Sequence, residues 1–286
     1  MQAFLITAYK NHNQLIELIQ SLNEHALVYV HLDKKSTELS IDKLRSYNFK
    51  NTTFIRQYAI PWGGYTHLLA IIKLMKLALS DNRVSYIHTI SGQDILIKPW
   101  SAFEERFDNS NSIYMTCFSH DEFNSIVQRR YQQHIITSRG THISGLVAKL
   151  NKLYLKLQKQ FHWTWNTIKP FEHIYKGVIW CSMPRIAAQY ALNFIRKNPS
   201  FLRNLSHVSI PEEFFFQTIF MNSSFKNDIK KYNLRYTDWN KRNGSNPAIL
   251  DETDYPKIMQ SDCFFARKID PSISSELLSL LKQQHL

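Results

Sequence analysis

The sequence contains no Walker A loop, no G-x-G-x-x-G, no G-x-S-x-G elbow, no H-E-x-x-H and no paired C-x-x-C. The P-loop, dinucleotide-binding, serine-hydrolase, zincin and zinc-ribbon readings therefore lack their signatures. There is no Asp-x-Asp pair to hold a divalent metal on a diphosphate, so a phosphate site would draw its positive charge from side chains. No metal and no cofactor are expected. Cysteine is sparse: Cys117, Cys181 and Cys263 are odd in number and far apart, the pattern of buried free thiols in a reducing compartment rather than a disulfide framework. No apolar run reaches about 18 residues, and Met1 leads directly into the strand-like Ala3 to Tyr9, which predicts neither a signal peptide nor a membrane span. The expected location is the cytoplasm.

With 44% apolar and 13% aromatic residues among 286, the chain can bury a substantial core. Lys and Arg outnumber Asp and Glu by 35 to 23. That excess favours polyanionic partners such as nucleic acid, anionic lipid or sugar phosphates without choosing among them.

The first hundred residues alternate strand and helix patterns. Phe4 to Tyr9 reads as a strand, Leu15, Leu18, Ile19 and Leu22 as one face of a helix, and Leu27 to Leu32 as a second strand. A strand at Thr53 to Arg56, a helix from about Thr66 to Leu79 and a strand at Tyr86 to Ile90 continue the alternation, which predicts an α/β fold built on βαβ units. Such sheets bind ligands beyond the carboxyl ends of their strands, here Tyr9 to Asn11, His31 to Lys35 and Ser91 to Asp94. Further on, Lys176 to Trp180 reads as a strand, Pro184 to Arg196 as a helix, and Pro211 as the start of another. No repeat or low-complexity linker marks a boundary, so residues 1–286 are expected to form one domain, with 1–115 as a nucleotide-binding half and 116–286 as an acceptor and catalytic half.

From Ile143 to Phe161 the apolar residues Ile143, Leu146, Val147, Leu150, Leu153, Tyr154, Leu157 and Phe161 share one helical face, with Lys149, Lys152, Lys156 and Lys159 opposite and Trp163 and Trp165 close behind. Two readings stand: a helix whose apolar face packs on the body beneath solvated lysines, or an interfacial element resting on anionic lipid.

Two acids, Glu212 and Glu213, follow Pro211 at a helix start, where the exposed N–H groups favour negative charge. Ser209 and Glu212 have the spacing of a capping box, yet a carboxylate aimed into a cleft from a helix start can also act as a general base. Near the C-terminus, Phe264-Phe265-Ala266-Arg267-Lys268 places two cations after an aromatic pair.

The segments Tyr29 to Ser36, Trp62-Gly63-Gly64-Tyr65, His88 to Asp94, Pro211-Glu212-Glu213 and Phe265 to Lys268 occur in the order and approximate spacing of the core-2/I-branching β-1,6-N-acetylglucosaminyltransferase family, which includes protein xylosyltransferases. Across residues 1 to about 270 the chain resembles that family. The resemblance implies a metal-independent, inverting enzyme with a variant of the GT-A fold and a UDP-sugar donor. It implies that Asp33 contacts the uridine, with Ala8, Tyr9 and Lys10 in the same pocket. It makes Glu213 the catalytic base with Glu212 as the capping residue, and Lys268, helped by Arg267, the charge on the diphosphate. Trp62, Gly63, Ser91, Gly92, Gln93 and Asp94 would line the cleft, Asp94 on the acceptor side. Arg130, Tyr131, Trp180 and Trp239 are further acceptor-side candidates, because aromatic faces suit sugar C–H surfaces.

The sequence departs from the family pattern at Tyr9, often His in relatives, at Val178-Ile179, and at Ala248, near where many relatives place an arginine on the diphosphate. Lys241 or Arg242 is the candidate replacement. The expected reaction is transfer of a sugar, N-acetylglucosamine foremost, to a hydroxyl of a bacterial surface glycan such as lipooligosaccharide or capsule. The expected partners are a UDP-sugar, a glycan or glycolipid acceptor and peripherally an anionic membrane, with no nucleic acid. A catalytically silent glycan- or lipid-binding relative and a nucleic-acid-binding protein are the competing readings.

Overall fold

A computed structural model describes residues 1–118, 127–136, 145–166 and 168–283. Its centre is a seven-stranded mixed sheet in the order β3-β2-β1-β4-β7-β6-β8. The strands are β1 (Gln2–Ala8), β2 (Leu27–Leu32), β3 (Thr52–Ile55), β4 (Tyr86–Ser91), β6 (Ile113–Cys117), β7 (Gly177–Pro184) and β8 (Ile229–Lys230). The first four are parallel, β7 runs antiparallel to both β4 and β6, and β8 is parallel to β6. A small second sheet joins β5 (Ile95–Leu96), β10 (Phe265–Arg267) and β9 (Arg235–Thr237). Strands from both sequence halves thus share one sheet.

Every residue of β1 and β2 is buried, as expected for parallel strands covered on both faces. The period of two sorts them into separate layers. Ala3, Leu5, Leu27 and Tyr29 face a core shared with the helix Tyr65–Leu79, while Phe4, Ile6, Val28 and Val30 face one shared with the helix His12–Asn23. The two crossover helices therefore lie on opposite faces, and the crevice between the carboxyl ends of β1 and β4 is the topological switch point where α/β sheets hold ligands. Gly92, just past β4, fits this junction because a Cβ there would stand 3.0 Å from the Ala8 Cβ. Gly177 opens β7 where the register against β6 shifts, and a Cβ would fall 1.8 Å from the Thr116 carbonyl oxygen.

Two sequence expectations change here. The lysine-faced helix spans Gly145–Gln160, with Ile143 outside the described residues, and most of its apolar stripe does not pack on the body. Leu146, Val147, Leu150 and Leu153 are exposed, and Asn151 and Gln158 are the buried residues instead. The helix after Pro211 spans Glu212–Met221 and has no side-chain cap, so the Ser209–Glu212 capping box does not form. Glu212 is buried and turned toward His67. Among the described residues the three cysteines are free thiols, Cys117 and Cys181 buried and Cys263 partly so, and no helix is long and apolar enough to cross a membrane.

Candidate active site

The ends of β1, β2 and β4 are tied together. The backbone N–H of Asp33 donates to the Ala8 carbonyl at 2.8 Å, and that of Gly92 to the Thr7 carbonyl at 3.0 Å. Asp33 Oδ1 accepts from the backbone N–H groups of Lys35 at 2.9 Å and Ile60 at 3.1 Å, which holds the buried carboxylate beside the 58–60 loop. His31 braces that loop. Burial pushes its imidazole down to about 4, so it stays neutral at physiological pH and accepts the Tyr58 N–H at 3.0 Å. Tyr9 is exposed, and its hydroxyl donates to Gln93 Oε1 at 3.2 Å.

The second sheet closes this crevice from the C-terminal side. Ile269 donates its N–H to the Gln93 carbonyl at 2.9 Å, and Lys10 pairs with Asp270 at 2.6 Å. These contacts bring Lys268 near Lys10, just past the carboxyl end of β1. Lys268 Nζ donates to Ser245 Oγ at 3.2 Å, one bond for a group with three donor hydrogens. Burial, then the nearby Arg267 and Lys10 charges, hold its pKa below the ordinary lysine value. A half-buried ammonium crowded by cations is one that an incoming diphosphate stabilises. Arg267 is buried: its guanidinium lies 4.4 Å over the Trp180 ring, with Nε 3.5 Å from Asp94 Oδ1.

From Arg267 the contacts run on to the acids. The Trp180 ring meets the His67 ring edge-on at 5.8 Å. His67 bridges Thr7 Oγ1 at 3.3 Å, through Nε2, and Glu212 Oε1 at 3.2 Å, through Nδ1. Next door, Glu213 Oε2 lies 2.8 Å from Lys176 Nζ and 3.9 Å from Arg130. Burial raises the Glu213 pKa, and the Lys176 and Arg130 charges oppose the shift without cancelling it. A carboxylate that is desolvated, oriented and moved toward neutrality has the properties of a general base. The loop carrying Trp62 and Gly63 is fixed to the same place, because the Ile210 N–H donates to the Gly63 carbonyl at 3.1 Å. Gly63 adopts φ 67° there, and Trp62 and Trp239 stand exposed.

Several expected roles change with this geometry. Asp94 is fully buried, its Oδ2 accepting the Ser91 N–H at 2.8 Å and bonding the Ser91 hydroxyl. It buttresses Ser91 and Arg267 and presents nothing to an acceptor. Tyr131 lies in the core against Phe214, its hydroxyl within 3.5 Å of the Asn204 amide. Trp180 forms a buried wall rather than an open sugar platform. Arg130 does reach Glu213. Arg242 does not replace the arginine missing at 248, because Asp238, Asp251 and Asp254 all engage its guanidinium. Ala248 is itself buried, its carbonyl accepting the Lys268 N–H at 3.3 Å, and Lys241 is exposed.

Sequence reasoning missed Lys176, His67 and Arg235. Arg235 is a buried guanidinium donating to Ser182 Oγ at 3.1 Å, the Thr89 carbonyl at 2.9 Å and the Cys181 carbonyl at 3.2 Å, and so pins β9 beneath β4 and β7. Among the described residues no cluster of three or more His, Cys, Asp or Glu side chains could hold a metal.

The family described as Core-2/I-Branching enzyme matches residues 2–262. Xylosyltransferase 2 of Canis lupus familiaris is 23% identical over 94% of this chain and 31% of its own length. Xylosyltransferase sqv-6 of Caenorhabditis elegans is 19% identical over 97% and 35%. The chain spans about a third of the length of these curated relatives. Among solved structures, the galactosyltransferase LgtC with donor and acceptor sugar analogs aligns over 99% of this chain and 96% of its own, at TM-score 0.42 and 9% identity. S. aureus TarS 1-349 with UDP-GlcNAc aligns over 42% of this chain and 35% of its own, at TM-score 0.29 and 16% identity.

Proposed function

The chain belongs to the Core-2/I-branching enzyme family, and from that premise and the geometry of its crevice we propose that it transfers a sugar from a UDP-sugar to an acceptor hydroxyl with inversion. The observation that carries the proposal is the placing of Glu213, partly buried and 2.8 Å from Lys176, next to the Glu212–His67 pair, whose ring meets the Trp180 that lies under Arg267. In this reading Asp33 and the Ala8 to Lys10 turn hold the uridine. The acceptor oxygen attacks the anomeric carbon while Glu213 takes its proton. The bond from that carbon to the diphosphate breaks, and UDP leaves with the electron pair. Lys268 meets the charge that develops on the diphosphate, and Asp94 and Trp180 hold Arg267 behind it. Preorganised donors of this kind lower the barrier by roughly 3 kcal/mol each. One displacement gives a β-linked product, and the protein cations supply the charge a metal would otherwise bring.

N-acetylglucosamine is the first donor to test, because the family description speaks of core-2/I branching, and xylose the second, because relatives carry that name. The acceptor is proposed to be a hydroxyl of a bacterial surface glycan such as lipooligosaccharide or capsule, with exposed Trp239 offering a ring face to it. The enzyme would work at the cytoplasmic face of the inner membrane. A thermal-shift panel of UDP-GlcNAc, UDP-glucose, UDP-galactose, UDP-xylose, UDP and ADP, with and without EDTA, tests the donor side, because a ligand of the folded state raises its apparent stability. Stabilisation by uridine nucleotides that persists in EDTA is expected. No shift with any of them removes the donor assignment.

A further inference from the structure

The helix Gly145–Gln160 is mounted with its amides inward and part of its apolar surface outward. Asn151 Oδ1 accepts the Ile136 N–H at 2.8 Å. Gln158 makes a double contact with His134, accepting its N–H at 2.9 Å and donating to its carbonyl at 2.8 Å. These two side chains complete the backbone bonding of the 134–136 segment as a neighbouring strand would, and Tyr154 packs edge-on to His134 at 6.0 Å. The body side of the helix is therefore satisfied by hydrogen bonds and an aromatic contact, and most of the apolar stripe is left over.

At about 100° per residue, positions 146, 150, 153 and 157 fall within a narrow stripe. Leu146, Leu150 and Leu153 there are 71%, 47% and 55% exposed. Phe161 and Trp163, stacked at 5.3 Å, continue the apolar surface beyond the helix end, both exposed. Lys149, Lys152, Lys156 and Lys159 follow along the flank away from the body, and Gly145–Gln160 contains no acid. Exposed leucines beside a lysine row, with a tryptophan at one end, form the arrangement that lies in a membrane interface. The apolar stripe enters the acyl boundary and the lysines reach anionic headgroups.

We propose that this face docks the protein on an anionic lipid bilayer. A second copy is disfavoured, because a symmetric pairing of the stripe would bring two lysine rows together. Nucleic acid is disfavoured, because phosphates would engage the lysines and leave the leucines in water. The inference does not depend on the reaction, since binding is read without turnover.

The test is flotation of the whole chain with vesicles of phosphatidylcholine alone and with about a third phosphatidylglycerol. The expected result is binding to the anionic vesicles only, weakened by salt, with a blue shift of tryptophan emission. The Leu150→Glu, Leu153→Glu pair should lower the bound fraction about tenfold or more, since each substitution exchanges buried apolar surface for a like charge. Melting temperature and UDP affinity should be unchanged. Equal binding of the double variant overturns the proposal. So does a double variant that binds vesicles normally but turns a dimer into a monomer, which would assign the face to a second copy.

Discussion

Lys176 Nζ sits 2.8 Å from Glu213 Oε2, an ion pair between the start of β7 and the first turn of the helix Glu212–Met221. Burial raises the Glu213 pKa and Lys176 lowers it, so the pair sets the pH at which the base is available. With the folded value above that of a free glutamate, activity should fall as pH drops through a limb lying above the ordinary carboxylate range. Lys176→Met removes the lowering partner, so that limb should move to higher pH. A pH profile of kcat/KM for the two proteins checks it, and an unmoved or lowered limb contradicts the pairing.

Lys268 titrates in the opposite sense. Its pKa in the free site is depressed by burial and neighbouring cations, while a bound diphosphate favours the ammonium. UDP affinity should be full below that lowered value and decline as pH rises through it. Lys268→Met should weaken UDP by at least tenfold, the scale of a lost charge-assisted hydrogen bond, roughly 1.5–3 kcal/mol. Calorimetric titration across pH reads both effects.

His67 holds Glu212 from one side and Thr7 from the other. His67→Ala leaves a buried carboxylate unpartnered, which should cost about 2 kcal/mol of stability and, by loosening the helix start, lower kcat more than UDP affinity. Denaturant melts beside single-turnover rates separate the two consequences.

Gly177→Ala tests the backbone frame rather than the chemistry. Its Cβ would fall 1.8 Å from the Thr116 carbonyl oxygen, so β6 and β7 would have to separate. A loss of roughly 3 kcal/mol or more is expected, read as a lowered melting temperature or insolubility.

The parallel half of the fold was legible because its strands are buried on both faces and its helices carry one clear apolar stripe. β1, β2, β4 and the helix Tyr65–Leu79 lie within a few residues of their predicted bounds. The second sheet was not, because β5, β9 and β10 are two or three residues long and show no period of their own. What makes them strands is their pairing with one another and the buried Arg235 beneath β4 and β7.

At the candidate site, the sequence singled out Glu213 and Lys268 but not the side chains that the structure sets around them. Lys176 precedes a glycine in an unremarkable stretch, where the register of β7 against β6 shifts, and its pairing with Glu213 is a contact between segments far apart in the chain. Tyr131 and Asp94 carry polar groups that pattern alone cannot distinguish from exposed ones, and in the structure both are buried. The helix Gly145–Gln160 shows the same limit. Its amphipathicity was visible, but which side meets the body depended on Asn151 and Gln158 bonding the 134–136 backbone.

The most direct test is Glu213→Gln, assayed for sugar transfer from the UDP-sugar selected by thermal shift and for UDP binding in the same preparation. Transfer lowered at least about a hundredfold, with UDP affinity within about twofold of wild type, is the result expected of a base that touches the acceptor and not the nucleotide. Retained transfer, or a loss of UDP affinity matching the loss of transfer, would remove Glu213 from that role and with it the proposed mechanism.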